Sequence, residues 1–228
     1  MFAGRKKKDA KRETKALRPT PETTETTATP TREAFVYDRL AAGYDRAMRP
    51  LERWKLTSLR ASTLDALPRE ARILEVGAGT GANFPFYPPG SSGAAIDPST
   101  EMLKIARRKQ SPAGIHLIRS RAERLPFPDR SFDAAFATLV FCSVRSPAEA
   151  FSELCRVVRP GGTVALLEHV RPGGLLGYLF DAFNLLTVPL FDDHFNRRTA
   201  DEARRAGLTP LRVEPHLLGI LQLIICRV

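Results

Sequence analysis

Five short apolar runs along the middle of the chain predict the strands of a β-sheet. They fall at 73–76, 93–96, 115–118, 133–140 and 163–170. Amphipathic stretches lie between them, including 99–109, whose apolar residues recur at helical spacing. Strands that alternate with helices in this way favour an α/β fold. Its sheet is doubly wound and mostly parallel, and ligands bind outside the carboxyl ends of the strands.

Two more apolar runs, at 208–213 and 220–228, close the chain and are separated by Pro215 and Gly219. They predict an antiparallel hairpin. The helix before the fifth strand carries end signals as well. Ser146 is predicted as its N-cap, Pro147 as its first residue and Glu149 as its capping-box partner, with Gly161 beyond its end.

The pattern at 35–67 predicts one or two amphipathic helices that break near Pro50. The apolar positions are Phe35, Leu40, Met48, Leu51, Trp54, Leu59, Leu64 and Leu67. The polar side is basic and carries Arg39, Arg46, Arg49, Arg53, Lys55 and Arg60. Such a side is either simply solvated, or lies on anionic lipid or guides an anionic substrate. The sequence leaves both interpretations open.

A further apolar segment, 173–191, is interrupted by Asp181 and Asn184. It is too polar for a membrane-spanning helix and too apolar for an exposed loop, so we expect it to cover the ligand site.

The composition bounds the class of protein. The 228 residues, 43% of them hydrophobic, suffice for one α/β core. Three dispersed cysteines give neither a disulfide framework nor a zinc spacing, and we expect no metal site. The sequence has no signal-peptide pattern and no run of about 18 apolar residues. We therefore expect a cytoplasmic protein that does not span a membrane.

The net charge of +10 is unevenly distributed. Residues 1–18 hold eight Lys or Arg against two acids, a net +6. Residues 19–31 are nearly all Pro, Glu, Thr and Ala, which predicts a disordered linker. Residues 1–34 thus form a basic tail and linker before a folded domain at 35–228. An anionic membrane surface would attract the tail, whereas nucleic-acid attraction and simple solubilisation are the alternatives.

A glycine-rich turn follows the first predicted strand, with Gly77, Gly79 and Gly81 at alternate positions. Such a turn lets the backbone approach a ligand at the start of a helix. Gly77, Gly79 and Ala82 also satisfy the dinucleotide fingerprint, with Asp97 about 20 residues further on. The loop alone does not decide between cofactors.

Several motifs in fixed order resemble the class I S-adenosylmethionine-dependent methyltransferases, which have a Rossmann-like fold. They are Tyr-Asp-Arg-Leu-Ala-Ala-Gly-Tyr-Asp at 37–45, Glu-Val-Gly-Ala-Gly-Thr-Gly at 75–81, Asp-Pro-Ser at 97–99, Ala-Glu-Arg-Leu-Pro-Phe at 122–127, Ser-Phe-Asp at 131–133 and Arg-Pro-Gly-Gly at 159–162. The resemblance spans about 35–228. Within this class, the chain most resembles the branch that includes ubiquinone and menaquinone methyltransferases, phospholipid N-methyltransferases and lipid-associated thiol methyltransferases.

The resemblance implies S-adenosylmethionine as cofactor, and it implies roles for residues that match the motifs. The cofactor site would comprise Glu75, Gly77, Ala78, Gly79, Gly81, Asp97, Pro98, Met102, Ala122, Glu123 and Thr138. Asp97 would bind the ribose hydroxyls and Met102 would pack on adenine. Arg121 departs from the family, which commonly has Asp there to accept from the adenine amino group. Arginine has no acceptor, so Glu123 or a backbone carbonyl would replace it.

The acceptor side has weaker signals. Tyr37 and Tyr44 share one helical face and would serve as catalytic hydroxyls or aromatic walls, or simply as core packing. His169, at a predicted strand end, is a candidate catalytic base or a structural residue. Candidate substrate residues are His194, Asn196, Arg197 and Tyr178, which would hold a phosphate head group beside an apolar lid.

The sequence therefore predicts a methyltransferase for a membrane phospholipid amine, phosphatidylethanolamine and its methylated products, peripheral on the inner face of the membrane. The alternative is a small apolar acceptor such as a quinone precursor or a thiol. No nucleic-acid partner is expected, because amino-directed base methylases place Asn or Asp, Pro, Pro and an aromatic where this chain has Thr-Leu-Val-Phe at 138–141. A non-enzymatic lipid-binding or cofactor-binding module also remains open, and the oligomeric state has no sequence signal.

Overall fold

A computed structural model of the protein describes residues 32–175, 177–182, 194 and 197–228. Most of the predicted basic tail, Asn196 and much of the apolar segment 173–191 lie outside the described residues. The domain boundaries drawn through these parts of the chain therefore stay predictions.

Among the described residues, seven strands form one sheet in the order β3-β2-β1-β4-β5-β7-β6. The strands are β1 (Arg72–Val76), β2 (Ser92–Asp97), β3 (Ile115–Arg119), β4 (Phe132–Thr138), β5 (Val158–His169), β6 (Thr209–His216) and β7 (Leu221–Arg227). All neighbours from β3 to β5 pair in parallel, whereas β7 pairs antiparallel with both β5 and β6. The predicted α/β fold with a mostly parallel sheet and a C-terminal hairpin is confirmed.

The helices pack on both faces of the sheet. They are α1 (Arg32–Leu51), a π-helical turn (Glu52–Leu56), α2 (Thr57–Asp65), α3 (Thr100–Arg108), α4 (Pro147–Val157) and α5 (Thr199–Arg205), with 3₁₀ turns at Phe84–Phe86 and Leu217–Gly219. Residues 177–182 are helical too. Within the described ranges, no helix is both long and apolar enough to cross a bilayer.

Two buried clusters explain why both faces are covered. Side chains alternate along a strand, so Leu74 of β1 packs with Phe151 and Leu154 of α4. Its neighbour Ile73 packs on the other face with Leu64 of α2. The chain order runs outward from β1 to β3 and then returns to β4 and β5. The reversal leaves a crevice at the carboxyl ends of β1 and β4, where a ligand can bind.

The N-terminal helices are more continuous than predicted. The α1 helix passes through Pro50 and continues into the π-helical turn and then α2. A π-turn holds more residues than an α-turn, so it shifts the phase of the apolar stripe. Leu51 and Leu56 face a buried cluster that includes Leu221. Trp54, assigned to the apolar positions, is instead 70% exposed.

The predicted start of α4 is confirmed, because Ser146 is its N-cap residue and Pro147 its first residue, but the predicted capping box and glycine terminator need correction. The Ser146 side chain makes no capping bond, so the predicted capping box does not form. Instead, Glu123 Oε1 accepts from the backbone N–H groups of Arg145 (3.1 Å) and Ser146 (3.4 Å). Gly161 is not a helix terminator, because α4 leads directly into β5 at Val158 and the Gly161 N–H donates to the Val228 carbonyl. The cap thus comes from a distant acid that local sequence does not reveal.

Gly93 tests the pairing of β1 and β2. A Cβ there would lie 2.1 Å from the Ile73 carbonyl oxygen, and the φ of 135° is one that other residues rarely adopt. Gly93→Ala should therefore lower the free energy of unfolding by about 3 kcal/mol, measured by denaturant titration. Gly43→Ala is the matched control, because a Cβ at this helical position meets nothing within 4 Å. It should stabilise the protein by up to about 1 kcal/mol. Equal stability of the two variants would contradict the pairing of Gly93 with Ile73.

Candidate functional site

The glycine turn after β1 forms the floor of a cleft. Gly77, Gly79 and Gly81 all have positive φ, between 52° and 81°. A Cβ at Gly77 would lie 2.2 Å from Val140, and one at Gly81 would lie 2.5 Å from the Phe84 ring. A Cβ at Gly79 would meet no atom within 4 Å. Gly77 and Gly81 thus permit close packing of the chain, whereas Gly79 leaves open space on the cleft side.

The cleft has an internal space of about 600 Å³, its open mouth included. The predicted residues that line it are Tyr37, Tyr44, Gly77, Ala78, Gly79, Asp97, Pro98, Met102 and Thr138. A smaller slot shares Gly77, Pro98 and Val140 with the cleft and is lined by Ala122 and Glu123 as well. The structure therefore brings most of the predicted cofactor residues together.

Asp97 ties the glycine turn to β2. Its Oδ2 accepts from the Gly79 N–H and its Oδ1 from the Ser99 N–H, both at 2.8 Å. Burial, opposed by these two donors, raises the pKa of Asp97 to about 6. Each carboxylate oxygen keeps a lone pair for a further donor. The side chain is thus placed to accept hydroxyl groups of a ligand in the cleft.

A buried polar network lies beneath the cleft and reaches Glu75. The Glu75 oxygens accept from the Asn83 amide at 2.6 Å and the Tyr87 hydroxyl at 2.7 Å. Burial raises the pKa of Glu75, although these donors oppose the shift. Glu75 does not line the cleft in this structure. The geometry therefore favours an indirect role through Asn83, and direct cofactor binding by Glu75 stays a prediction.

Arg60 of α2 occupies the centre of this network. Its Nη1 donates to Asn83 Oδ1 at 2.9 Å and to Thr138 Oγ1 at 2.6 Å, and its Nη2 pairs with Glu52 at 2.8 Å. Arg60 and Asn83 line the cleft, yet sequence reasoning assigned neither to the site. The only signal for Arg60 was its place on a basic helix side, and it is buried, not solvated.

The α1 helix forms one wall of the cleft, and two of its carboxylates attach it to the elements around the cleft. Asp38 accepts from the Ser99 hydroxyl and the Glu101 N–H at the start of α3. Asp45 accepts from the Thr80 hydroxyl in the glycine turn and pairs with Lys109 at the end of α3. These contacts hold Tyr37 and Tyr44 over the cleft with their rings edge to face, 6.5 Å between centroids.

Glu168 fixes the loop after β4. This fully buried acid accepts from the Val140 and Phe141 N–H groups at 3.0–3.1 Å, and burial raises its pKa to about 8. Leu139 just before has a φ of 60°, which is rare and strained for a residue other than glycine. Strain at this point places Val140 against Gly77.

The small slot shows how Arg121 is accommodated. Its Nη2 lies 3.3 Å from Glu123 Oε1, an oxygen that also accepts two backbone donors before α4. The Arg121 Nε is a buried donor without a hydrogen-bond partner. Glu123 therefore already uses one carboxylate oxygen for contacts within the protein. Arg121 places a hydrogen-bond donor beside the slot, where the related family commonly has an acceptor.

The remaining candidates lie away from the cleft lining. His169 pairs in the sheet opposite Leu221 and does not line the cleft, and burial lowers its pKa to about 4; its catalytic role stays a prediction. Tyr178 is 69% exposed with Arg171 over its ring. The His194 N–H donates to the Cys142 carbonyl, and Arg197 Nη2 donates to the Val144 carbonyl. His194 and Arg197 thus brace the loop after β4, and their contact with a substrate stays a prediction.

The described residues were also compared with the arrangements of side chains that bind metal ions. Among them, no group of three or more His, Cys, Asp or Glu side chains is arranged to hold a metal ion.

Comparison with known proteins identifies the class. A profile described as a methyltransferase domain matches residues 74–166. The rat thiol S-methyltransferase TMT1B is 32% identical over 177 residues, which cover 68% of this chain and 72% of that protein. A demethylmenaquinone methyltransferase of Renibacterium salmoninarum is 34% identical over 149 residues, or 63% of this chain and 61% of that protein.

A phosphatidylethanolamine N-methyltransferase of Cereibacter sphaeroides is 32% identical over 139 residues, which cover 55% of this chain and 68% of that protein. The fold matches a solved S-adenosylmethionine-dependent methyltransferase of Thermotoga maritima with a TM-score of 0.66 and 23% identity. That match covers 85% of this chain and 98% of the other.

The cleft fits S-adenosylmethionine, which is the cofactor of this enzyme class. Gly79 leaves open space at the turn, Asp97 presents a carboxylate for the ribose, and Met102 offers a thioether to a flat ring. The smaller slot continues the cleft past Pro98 and Val140 to Ala122 and Glu123, the residues that the resemblance assigns to the adenine edge.

The raised pKa of Asp97 predicts a pH dependence of cofactor affinity. A carboxyl group with a pKa of about 6 is about nine-tenths ionised at pH 7 but only about one-tenth at pH 5. Only the ionised form accepts from both ribose hydroxyls. Affinity for S-adenosylhomocysteine, measured by calorimetry, should be constant above about pH 7 and fall as pH drops through about 6. Asp97→Asn should bind about tenfold more weakly at pH 7.5 and show a flat profile over this range. An unchanged profile in the variant would assign the titration to another group.

The Arg60 network predicts a large cost in stability. Arg60→Met should lower the free energy of unfolding by about 3 kcal/mol, because Glu52, Asn83 and Thr138 all lose a charged donor. Arg53→Met, at an exposed position of the π-turn, should change it by less than about 0.5 kcal/mol. The double variant Arg60→Met with Glu52→Gln should lose less than the sum of its single changes. Strict additivity in denaturant titrations would show that Glu52 and Arg60 do not interact.

The sheet order, the glycine turn with Asp97 beside it, and the similarity over more than two thirds of the rat relative agree with one another. The chain belongs to the class I S-adenosylmethionine-dependent methyltransferases, in the branch that contains thiol, quinone and phospholipid methyltransferases.

Proposed function

We propose that this methyltransferase N-methylates a membrane phospholipid amine, phosphatidylethanolamine and its methylated intermediates. The observation that carries the proposal is the pair Tyr37 and Tyr44, two aromatic rings of a basic amphipathic helix that line the cofactor cleft. Aromatic faces attract ammonium groups, which the acceptor becomes as methyl groups are added. The Cereibacter sphaeroides relative is named for this activity.

When bound, the cofactor supplies an electrophilic methyl group, which passes to the acceptor nitrogen by in-line displacement as the neutral thioether leaves. The contribution of the chain is alignment and shielding, because orientation alone can lower such a barrier by several kcal/mol. Asp97 and the glycine turn hold one side of the cleft. Tyr37 and Tyr44 line the other side, and in this proposal their hydroxyls accept a hydrogen bond from an amine that arrives neutral. Leu139 and Val140 add apolar side chains to the lining.

A thiol or a quinone precursor is the second candidate. Among the described residues that line the cleft there is no His or Lys, so strong general bases are scarce there. A thiol loses its proton near pH 8.5 and needs little help, which suits this lining. The rat and Renibacterium relatives are named for thiol and demethylmenaquinone substrates.

Transfer from methyl-labelled S-adenosylmethionine to a total lipid extract separates these candidates. Thin-layer separation should show label in mono-, di- and trimethylated phosphatidylethanolamine. Label in the quinone fraction, or in added alkyl thiols but no phospholipid, would replace the first proposal with the second.

Tyr44 provides the residue-level prediction. Tyr44→Phe should lower kcat about tenfold and leave the affinity for S-adenosylhomocysteine unchanged, because the hydroxyl orients the acceptor and not the cofactor. Equal rates for Tyr44→Phe and the parent would make Tyr44 a packing residue.

A further inference from the structure

Two of the most exposed apolar side chains flank one buried cluster. Trp54 in the π-turn is 70% exposed and Leu218 in the turn between β6 and β7 is 88% exposed. Their chain neighbours Leu56 and Leu217 belong to the same cluster, which also contains Leu221. Both exposed side chains thus stand within two residues of this cluster in the chain.

The turn that carries Leu218 is strained. Leu217 and Leu218 both have left-handed backbone, with φ of 49° and 58°, in a region that branched aliphatic residues avoid at a cost of about 1–2 kcal/mol each. Leu217 recovers part of this cost by packing, but Leu218 remains in solvent. The turn thus holds an apolar side chain in solvent without compensating contacts from the cluster.

The charges beside Trp54 are positive. Arg53 and Lys55 flank it in the chain, and Arg46 is exposed on α1. Glu52, the acid of the same turn, is directed inward to Arg60 at 2.8 Å. The exposed part of the π-turn thus combines a tryptophan with cations, the combination that favours an anionic lipid interface.

This region lies at the edge of the sheet where the cleft opens. The start of β7 pairs with His169 at the carboxyl end of β5, and the Val170 N–H donates to the Ile220 carbonyl at 2.9 Å. The cleft itself lies at the carboxyl ends of β1, β2 and β4. In the segment after β5, Leu175, Tyr178 and Leu179 are exposed as well.

We propose that Trp54 and Leu218, with Arg53 and Lys55, form a docking face that inserts into the surface of an anionic lipid bilayer and directs the cleft mouth toward it. This inference rests on the proposed function for its purpose, because a lipid-borne acceptor must reach the cleft from the bilayer. Its physical basis is separate. Interfacial tryptophan and leucine supply apolar burial, and each nearby cation adds about 1 kcal/mol on an anionic surface.

The sequence offers a direct reporter, since Trp54 is the single tryptophan of the chain. Intrinsic emission of the full chain should shift to shorter wavelength with phosphatidylcholine vesicles that contain phosphatidylglycerol. Vesicles with brominated acyl chains should quench it, and pure phosphatidylcholine should have little effect. Protein that co-sediments with the anionic vesicles without a shift or quenching would overturn the docking face, because another part of the chain would then hold the membrane.

Matched variants distinguish specific docking through this face from non-specific adsorption of exposed apolar side chains to vesicles. Leu218→Ser should weaken co-sedimentation about tenfold, and Arg53→Ala with Lys55→Ala should weaken it and reduce its salt dependence. Leu211→Ser is the control, because Leu211 is 55% exposed on β6 near the opposite end of the strand from Leu218. Equal losses for Leu211→Ser and Leu218→Ser would contradict the proposal.

Failure of the docking face and failure of the proposed function give different results. All these variants should keep parental affinity for S-adenosylhomocysteine and parental rates on detergent-dispersed acceptor, since none of the residues lines the cleft. Quenching of Trp54 without any phospholipid labelling would keep the docking face and remove the phospholipid acceptor. Phospholipid labelling with no Trp54 response to vesicles would do the reverse.

Discussion

Buried carboxylates at strand ends impose the constraint on which the site depends. A carboxylate removed from water must be hydrogen-bonded, because an unpaired one costs several kcal/mol. Asp97 therefore holds the Gly79 and Ser99 N–H groups, and Glu168 holds those of Val140 and Phe141. The loops after β1, β2 and β4 therefore follow paths that bring their backbone N–H groups to these two side chains. Burial outweighs the donors, and so the pKa of both Asp97 and Glu168 is raised.

The N-terminal helices are part of the site and not an appendage to it. The α1 helix supplies Tyr37 and Tyr44 and is fixed at two points, by Asp38 to the start of α3 and by Asp45 to the glycine turn. The α2 helix supplies Arg60, whose charge is balanced by Glu52 across the π-turn. The same turn presents Trp54 to solvent. Closure of the cleft and the proposed contact with a bilayer thus depend on one continuous helical segment.

Local sequence was informative wherever a residue's role is set by its near neighbours. The apolar runs predicted the strands because a strand covered on both faces needs apolar side chains at almost every position. The glycines at 77, 79 and 81 predicted the turn because glycine adopts positive φ without steric cost. All three have positive φ in the structure. Asp97 was predicted because it ends the second strand about 20 residues after that turn, where a ribose-binding acid is expected. The exposure of Trp54 was missed, since the helical period assumed for 35–67 does not hold through a π-turn.

The sequence by itself determined the sheet, its parallel and antiparallel parts and the glycine turn, which follow from short-range patterns of apolar residues and glycine. The class of cofactor followed from the resemblance of its ordered motifs to a known family. Only the tertiary structure decided which polar side chains meet. It placed Arg60 between Glu52 and Asn83, gave the cap of α4 to Glu123, and kept His169 out of the cleft lining. The physical reason is that hydrogen bonds and ion pairs depend on distances of about 3 Å between groups far apart in the chain. Periodicity fixes the side of an element on which a residue lies, but not the partner that it meets there.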